Sequence, residues 1–199
     1  IIIDKFTFNE CQNLKNITLK ASKLNIGENC FENCSTLSTI TLINESEENL
    51  TIPTNVFKGC KSLQTINIRT KSKLILSNEL FSENIKLQRV EITGNNIQLC
   101  DKCFNKAFIF KKYNQYNYYS KFEYKPSNIK IISQSEVDIE TECFSESNIK
   151  NVEIEGSIIK LKERSFDKCI NLKTITISNS KEIIIDKFTF NECQNLKNI

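Results

Sequence analysis

The chain is predicted to fold as a parallel β-solenoid, one strand per coil of about 24 residues. Three observations carry this. Residues 1–17, IIIDKFTFNECQNLKNI, recur letter for letter at 183–199, so the sequence has a period of 182 residues. Within that period Phe8, Phe31, Phe57, Phe81, Phe104, Phe144, Phe166 and Phe190 recur at steps of 23, 26, 24, 23, 40, 22 and 24, so seven short repeats fill the long one. A unit this short with one strand cannot bury its own apolar face, so neighbouring units must stack on one another.

Each repeat keeps one frame around its phenylalanine. An aliphatic pair stands seven and five residues before it, a small residue or Cys three after, and aliphatics at six, nine and eleven. Leu24-Asn-Ile26 leads to Phe31, Cys34, Leu37, Ile40 and Leu42; Leu50-Thr-Ile52 leads to Phe57, Cys60, Leu63, Ile66 and Ile68; Ile159-Lys-Leu161 leads to Phe166, Cys169, Leu172, Ile175 and Ile177. The coil at Val137 is one residue short, with Phe144, Ser147, Ile149, Val152 and Ile154.

The F-x-x-C-x-x-L stretch spaces its apolar residues by three, which matches one face of a single helical or 3₁₀ turn too short to be a stable helix, so a tight turn packed inward on the side away from the strands is expected. The closing I-x-I has the period of two of a strand with one face inward, and β-branched residues dominate it. Stacking then makes the interior a set of ladders. One is the phenylalanines, and another is Cys11, Cys34, Cys60, Asn84, Ala107, Ser147, Cys169 and Cys193.

This frame resembles the leucine-rich repeat and, within that superfamily, the BspA-like or Treponema-type class, whose signature is A/C-F-x-x-C-x-x-L-x-x-I-x-I. The chain departs from it in using Asn, Lys and Glu where that class often has Pro and Gly after the strand. The resemblance implies a leucine-rich repeat solenoid and a non-enzymatic role, because such repeats belong largely to surface proteins of bacteria and mucosal protists that adhere to host matrix or to other cells.

Composition narrows the possibilities further. The chain has 27 basic and 24 acidic residues, a net charge of +3, 39% hydrophobic residues, and only 4 Gly and 2 Pro in 199 residues. The charges are scattered through all coils, with no basic stripe for nucleic acid. No apolar run approaches the ~20 residues of a transmembrane helix, so no direct membrane insertion is expected of this segment. The absence of histidine excludes histidine-based triads here, and with no Gly-rich phosphate loop the expectation is no enzyme and no cofactor.

The nine cysteines sit mostly at two frame positions, where a free Cys acts as a small buried apolar residue. Cys100-Asp-Lys-Cys103 has C-x-x-C spacing but lacks a second pair, so no metal is expected. Cys103 and Cys143 share a frame position in adjacent coils, which register makes a possible disulfide.

Four N-x-S/T sequons begin at Asn16, Asn33, Asn44 and Asn49. They are either chance in an Asn-, Ser- and Thr-rich chain or glycosylation acceptors. Asn44 and Asn49, flanking the loop from Ile43 to Asn49, are the better candidates if the protein is secreted.

One place breaks the rhythm. Sixteen extra residues lie between Phe110 and Ile129, giving a Tyr-rich loop insertion at 111–128 that holds all five tyrosines, Tyr113, Tyr116, Tyr118, Tyr119 and Tyr124, with Lys121 and Phe122. A loop on a rigid scaffold, rich in a residue that favours interfaces, reads as partner-binding. The alternative is a loop packed on the solenoid flank. The other exposed surface is the middle column of the strands, Thr18, Thr41, Asn67, Glu91, Lys130, Glu153 and Thr176, which suits many weak contacts to a protein or glycan.

The expected function is therefore a cell-surface or extracellular repeat protein for adhesion or self-assembly. Its partners would be a protein or glycan on another cell or matrix, and neighbouring copies of the same repeat unit. The alternative is a cytoplasmic protein-protein interaction scaffold. Residues 1–199 read as a single solenoid domain, a slice of a longer array, continuing after Ile199 with a near copy of Thr18 onward.

Overall fold

The structure, a computed structural model, describes residues 1–82, 84–107 and 127–199. Fifteen strands, β1 to β15 in chain order, wind into a parallel solenoid of about seven turns. The I-x-I segments form a seven-stranded sheet of β2 (Asn16–Ala21), β4 (Thr39–Asn44), β6 (Thr65–Thr70), β8 (Arg89–Gly94), β10 (Asn128–Ser133), β12 (Asn151–Glu155) and β14 (Thr174–Ser178). Register is strict: Ile17, Ile40, Ile66, Val90, Ile129, Val152 and Ile175 form one rung series along the sheet.

The expectation of one strand per coil needs correcting, because each coil carries a second. The aliphatic pair that opens the frame is itself extended, giving a six-stranded parallel sheet of β5 (Leu50–Ile52), β7 (Lys73–Leu76), β9 (Asn96–Leu99), β11 (Glu136–Ile139), β13 (Ile158–Leu161) and β15 (Glu182–Ile185). β1 (Ile2–Ile3) and β3 (Asn25–Ile26) pair in the same way in the first coils. The physical reason is alternation: Leu74 and Leu76 are wholly buried while Lys73 and Ile75 between them are only half-buried, which is what a pleated strand does.

The corner joining the two sheets is small and polar. Asn44 is buried at the last position of β4, where its Oδ1 accepts from the Leu24 N–H at 2.9 Å and its Nδ2 donates to Thr70 Oγ1. Further along, this column becomes Gly94 and Gly156, where a Cβ would lie 3.2 Å from Ile97 and from Val137 respectively. The corner has no room for a large side chain.

The F-x-x-C-x-x-L segment forms the tight inward turn expected of it, without helical character. No helix occurs among the described residues. Successive tight turns take its place, closed by bonds such as Glu32 N–H to Asn29 O, Cys34 N–H to Phe31 O and Leu37 N–H to Cys34 O. A helix is prevented because, among the described residues, those two before and two after the frame phenylalanines adopt positive φ, for example Asn29 (58°), Asn33 (59°), Glu142 (55°) and Glu146 (57°). The turns stack by backbone bonds too: the N–H of Phe104 donates to Cys143 O at 2.7 Å, and that of Phe144 to Ser165 O at 2.7 Å.

Between the sheets and the turns runs the core. Six of the eight frame phenylalanines are fully buried, and all eight form one continuous stack with ring centroids 5.0 to 5.8 Å apart. Leu, Ile and Cys columns fill the rest. No helix among the described residues is long and apolar enough to cross a membrane.

Candidate functional site

The seven-stranded sheet faces solvent with its middle column, and Thr18, Glu91, Glu153 and Thr176 are exposed while Thr41, Asn67 and Lys130 are half-buried. Strand pairing sets these residues side by side, Thr18 beside Thr41 and so on to Glu153 beside Thr176. Near the middle of the chain the face dips into a shallow concavity of about 590 Å³, lined by Arg89, Glu91, Asn128, Lys130, Asn151 and Glu153 among others.

Its side chains are held before any partner arrives. Lys130 Nζ meets Glu153 Oε1 at 2.9 Å, and that hydrogen bond raises the lysine pKa. One column over, Asn151 Nδ2 donates to Asn128 Oδ1 at 2.9 Å, and Thr174 Oγ1 donates to Asn151 Oδ1 at 2.9 Å. The result is a hydrogen-bonded lattice of donors and acceptors of mixed sign. Sequence reading identified the middle column but not the flanking Arg89, Asn128, Asn151 and Thr174. Their signal was available in the polar residue that opens every I-x-I strand.

The tyrosine-rich candidates Tyr113, Tyr116, Tyr118, Tyr119, Lys121, Phe122 and Tyr124 lie outside the described residues. Of the sequons, Asn16, Asn33 and Asn49 are exposed. Asn44 corrects the expectation: it is buried, and the amide nitrogen that would carry a glycan already donates to Thr70, so it is a corner residue of the fold.

Cys103 and Cys143 stand on adjacent rungs just before their phenylalanines, both wholly buried and both free thiols. Burial pushes the Cys143 thiol well up, and the neighbouring Cys103 thiol adds to this. Among the described residues no group of three or more Cys, Asp or Glu side chains is placed to hold a metal ion.

The cysteine column three residues after phenylalanine does more than fill space. Cys34, Cys60, Cys169 and Cys193 each donate their S–H to the carbonyl of the phenylalanine one coil earlier, at 3.0 to 3.2 Å, and Ser147 makes the same bond to Phe104 O at 2.7 Å. These thiols are structural. Burial, reinforced by Cys34, pushes the Cys60 pKa up to about 12.

The family model for the BspA type leucine-rich repeat region matches residues 1–111 and 113–199, in six copies. No curated protein matches the chain. A crystal structure of a leucine-rich repeat protein from Bacteroides ovatus is similar at 18% identity over 99% of this chain and 70% of that one, with a TM-score of 0.32. With the frame, the ladders and the family match in agreement along both stretches, this chain belongs to the BspA-type leucine-rich repeat family.

Proposed function

We propose that the chain is a non-enzymatic extracellular or cell-surface repeat protein that adheres to a protein or glycan on another cell or matrix, and whose units also join end to end into an extended array. The observation that carries the adhesive part is the pre-paired polar lattice around Lys130, Glu153, Asn128 and Asn151 on the open sheet. Such a surface suits an extended partner read by many contacts, since the concavity is too shallow to enclose a small molecule. Membership in a family of protein-interaction repeats points the same way.

The test is binding of the labelled full chain to intact epithelial cells and to immobilised matrix proteins, beside a Lys130→Glu/Asn151→Ala variant and a chain lacking 111–128. Loss of binding in the lattice variant is expected; undiminished binding there overturns the sheet face as the contact. Loss on deletion of 111–128 assigns a share of the contact to the tyrosine segment.

An intracellular protein-interaction scaffold is the second reading, favoured by the nine free cysteines, since free thiols persist best in a reducing compartment. Intact mass of natively purified protein separates the two. Hexose-containing adducts at the exposed Asn49 support the exterior, and clean peptides support the scaffold.

A further inference from the structure

Two columns of side chains cross the concavity of the open sheet. One runs Arg89, Asn128, Asn151, Thr174 and the other Glu91, Lys130, Glu153, Thr176, each rung on a neighbouring strand. Between them Val90, Ile129 and Val152 point into the core, so the columns stand two residues apart along each strand, about 7 Å. The hydrogen bonds of the first column run one way: Thr174 Oγ1 donates to Asn151 Oδ1, and Asn151 Nδ2 donates to Asn128 Oδ1. Asn128 Nδ2 ends this chain with no acceptor among the described residues. The rung beside it carries the exposed Arg89, which has no carboxylate partner among them either. Two donors, one of them cationic, thus meet at one end of the lattice, and a carboxylate accepts from both.

The second column is arranged differently. Lys130 is held by Glu153 at 2.9 Å, which leaves Glu91, exposed on the rung before it, with no bonded cation among the described residues. Uncommitted charges of opposite sign therefore stand two residues apart on one face of β8, Arg89 and then Glu91. Resting on the adhesive reading of this face, we propose that it docks an extended segment of a protein partner in which an acidic and a basic side chain stand two residues apart, the acid on Arg89 and Asn128 and the base on Glu91. In an extended chain, residues i and i+2 share a face about 7 Å apart, which is the spacing of Arg89 and Glu91.

Charge complementarity selects this occupant. A purely acidic segment meets Glu91 and Glu153, and a purely basic one meets Arg89, so each brings like charges together. A carboxylated glycan satisfies Arg89 but brings no cation to Glu91, and the residues that line the concavity include no aromatic ring on which a sugar would stack. Because Lys130 is already held by Glu153, the partner's base reaches Glu91 without displacing an ion pair.

The test pans a phage-displayed random peptide library on the immobilised 199-residue chain and, in parallel, on the Arg89→Glu/Glu91→Arg variant, whose circular dichroism should match wild type because both side chains are exposed. Wild type should enrich peptides with an acid and a base two residues apart in one fixed order, and the variant should enrich the opposite order. A peptide recovered on wild type, measured by fluorescence anisotropy, should bind the variant about tenfold more weakly, and its charge-inverted counterpart should regain the loss. Peptides that lack the pattern, or that bind the variant equally well, overturn the proposal. So does retention of wild type on immobilised sialyllactose that Arg89→Glu abolishes, which assigns the two donors to a glycan. After either result the adhesive reading stands provided that the Lys130→Glu/Asn151→Ala variant loses cell or matrix binding; undiminished binding there overturns both.

Discussion

At the scale of single residues, the cysteine column shows how chemistry narrows a position that looks merely small. Cys60 is wholly enclosed and gives its S–H to the Phe31 carbonyl at 3.2 Å. Replacing it by Ser should be nearly neutral, because Ser147 already makes the same bond elsewhere in the column. Replacing it by Ala should cost about 1 kcal/mol through the lost bond, read as a shift of the urea midpoint. The sequence showed the column as small and buried, but the acceptor belongs to a residue 29 positions away and becomes visible only when the coils are stacked. A second buried thiol pair, Cys103 and Cys143, sets an alkylation test. Native protein should protect both from alkylation, and unfolding without reductant should expose two alkylatable thiols; a pair that stays unreactive would mean that a bridge joins them. Asp138, on the outer face of β11, gives the residue-scale pH prediction. Burial, reinforced by Glu140, raises its pKa above the ordinary 3.8. The fold therefore favours the protonated acid, so the stability it confers is complete below the ordinary carboxylate value and is lost as pH rises through the folded value. Asp138→Asn should match wild type near pH 3 and exceed it at pH 7, with urea midpoints diverging in between; equal midpoints at both pH values would refute a buried-charge penalty.

At the scale of elements, the strands of the seven-stranded sheet were legible because an alternating I-x-I pair, filled and flanked largely by β-branched residues, recurs in every coil. The second strand was not. An L-x-I pair offers only two apolar positions with one residue between them, and it satisfies an extended connection as well as a strand until stacking supplies its partners. The turns were hidden for a different reason. Their left-handed positions are filled by Glu79, Lys102, Lys106, Glu142, Glu146, Arg164 and Lys168, residues that do not announce positive φ, and only Asn29, Asn33, Asn55 and Gly59 carry the usual composition. Those charged residues hold a conformation that costs an L-residue about 1 kcal/mol, and the turn bonds on either side impose it. Glu142→Asn should therefore stabilise the protein by up to about 1 kcal/mol, since Asn enters this region readily and already fills the equivalent positions of two coils at Asn29 and Asn55. Thermal melts of the single variant check this, and an unchanged or lowered midpoint would mean that Glu142 makes a compensating contact, its ion pair with Lys102 at 3.7 Å being the one to test next.

At the scale of the whole molecule, contacts run almost entirely between adjacent coils, so stability should vary along the chain as it does in any quasi-one-dimensional stack. Phe81 is fully buried with a ring on either side, Phe57 at 5.4 Å and Phe104 at 5.0 Å. Phe8 has one ring neighbour in the structure and is 38% exposed. Phe81→Ala should cost about 3–5 kcal/mol, the usual loss for a buried phenylalanine, whereas Phe8→Ala should cost about half as much. The same gradient should govern opening of the native state. Amide exchange in the 199-residue chain should be slowest in β6 and β8 and fastest in β1 and β15, because fraying releases one coil at a time. A uniform protection profile would mean that the phenylalanine stack makes the chain open only as a whole.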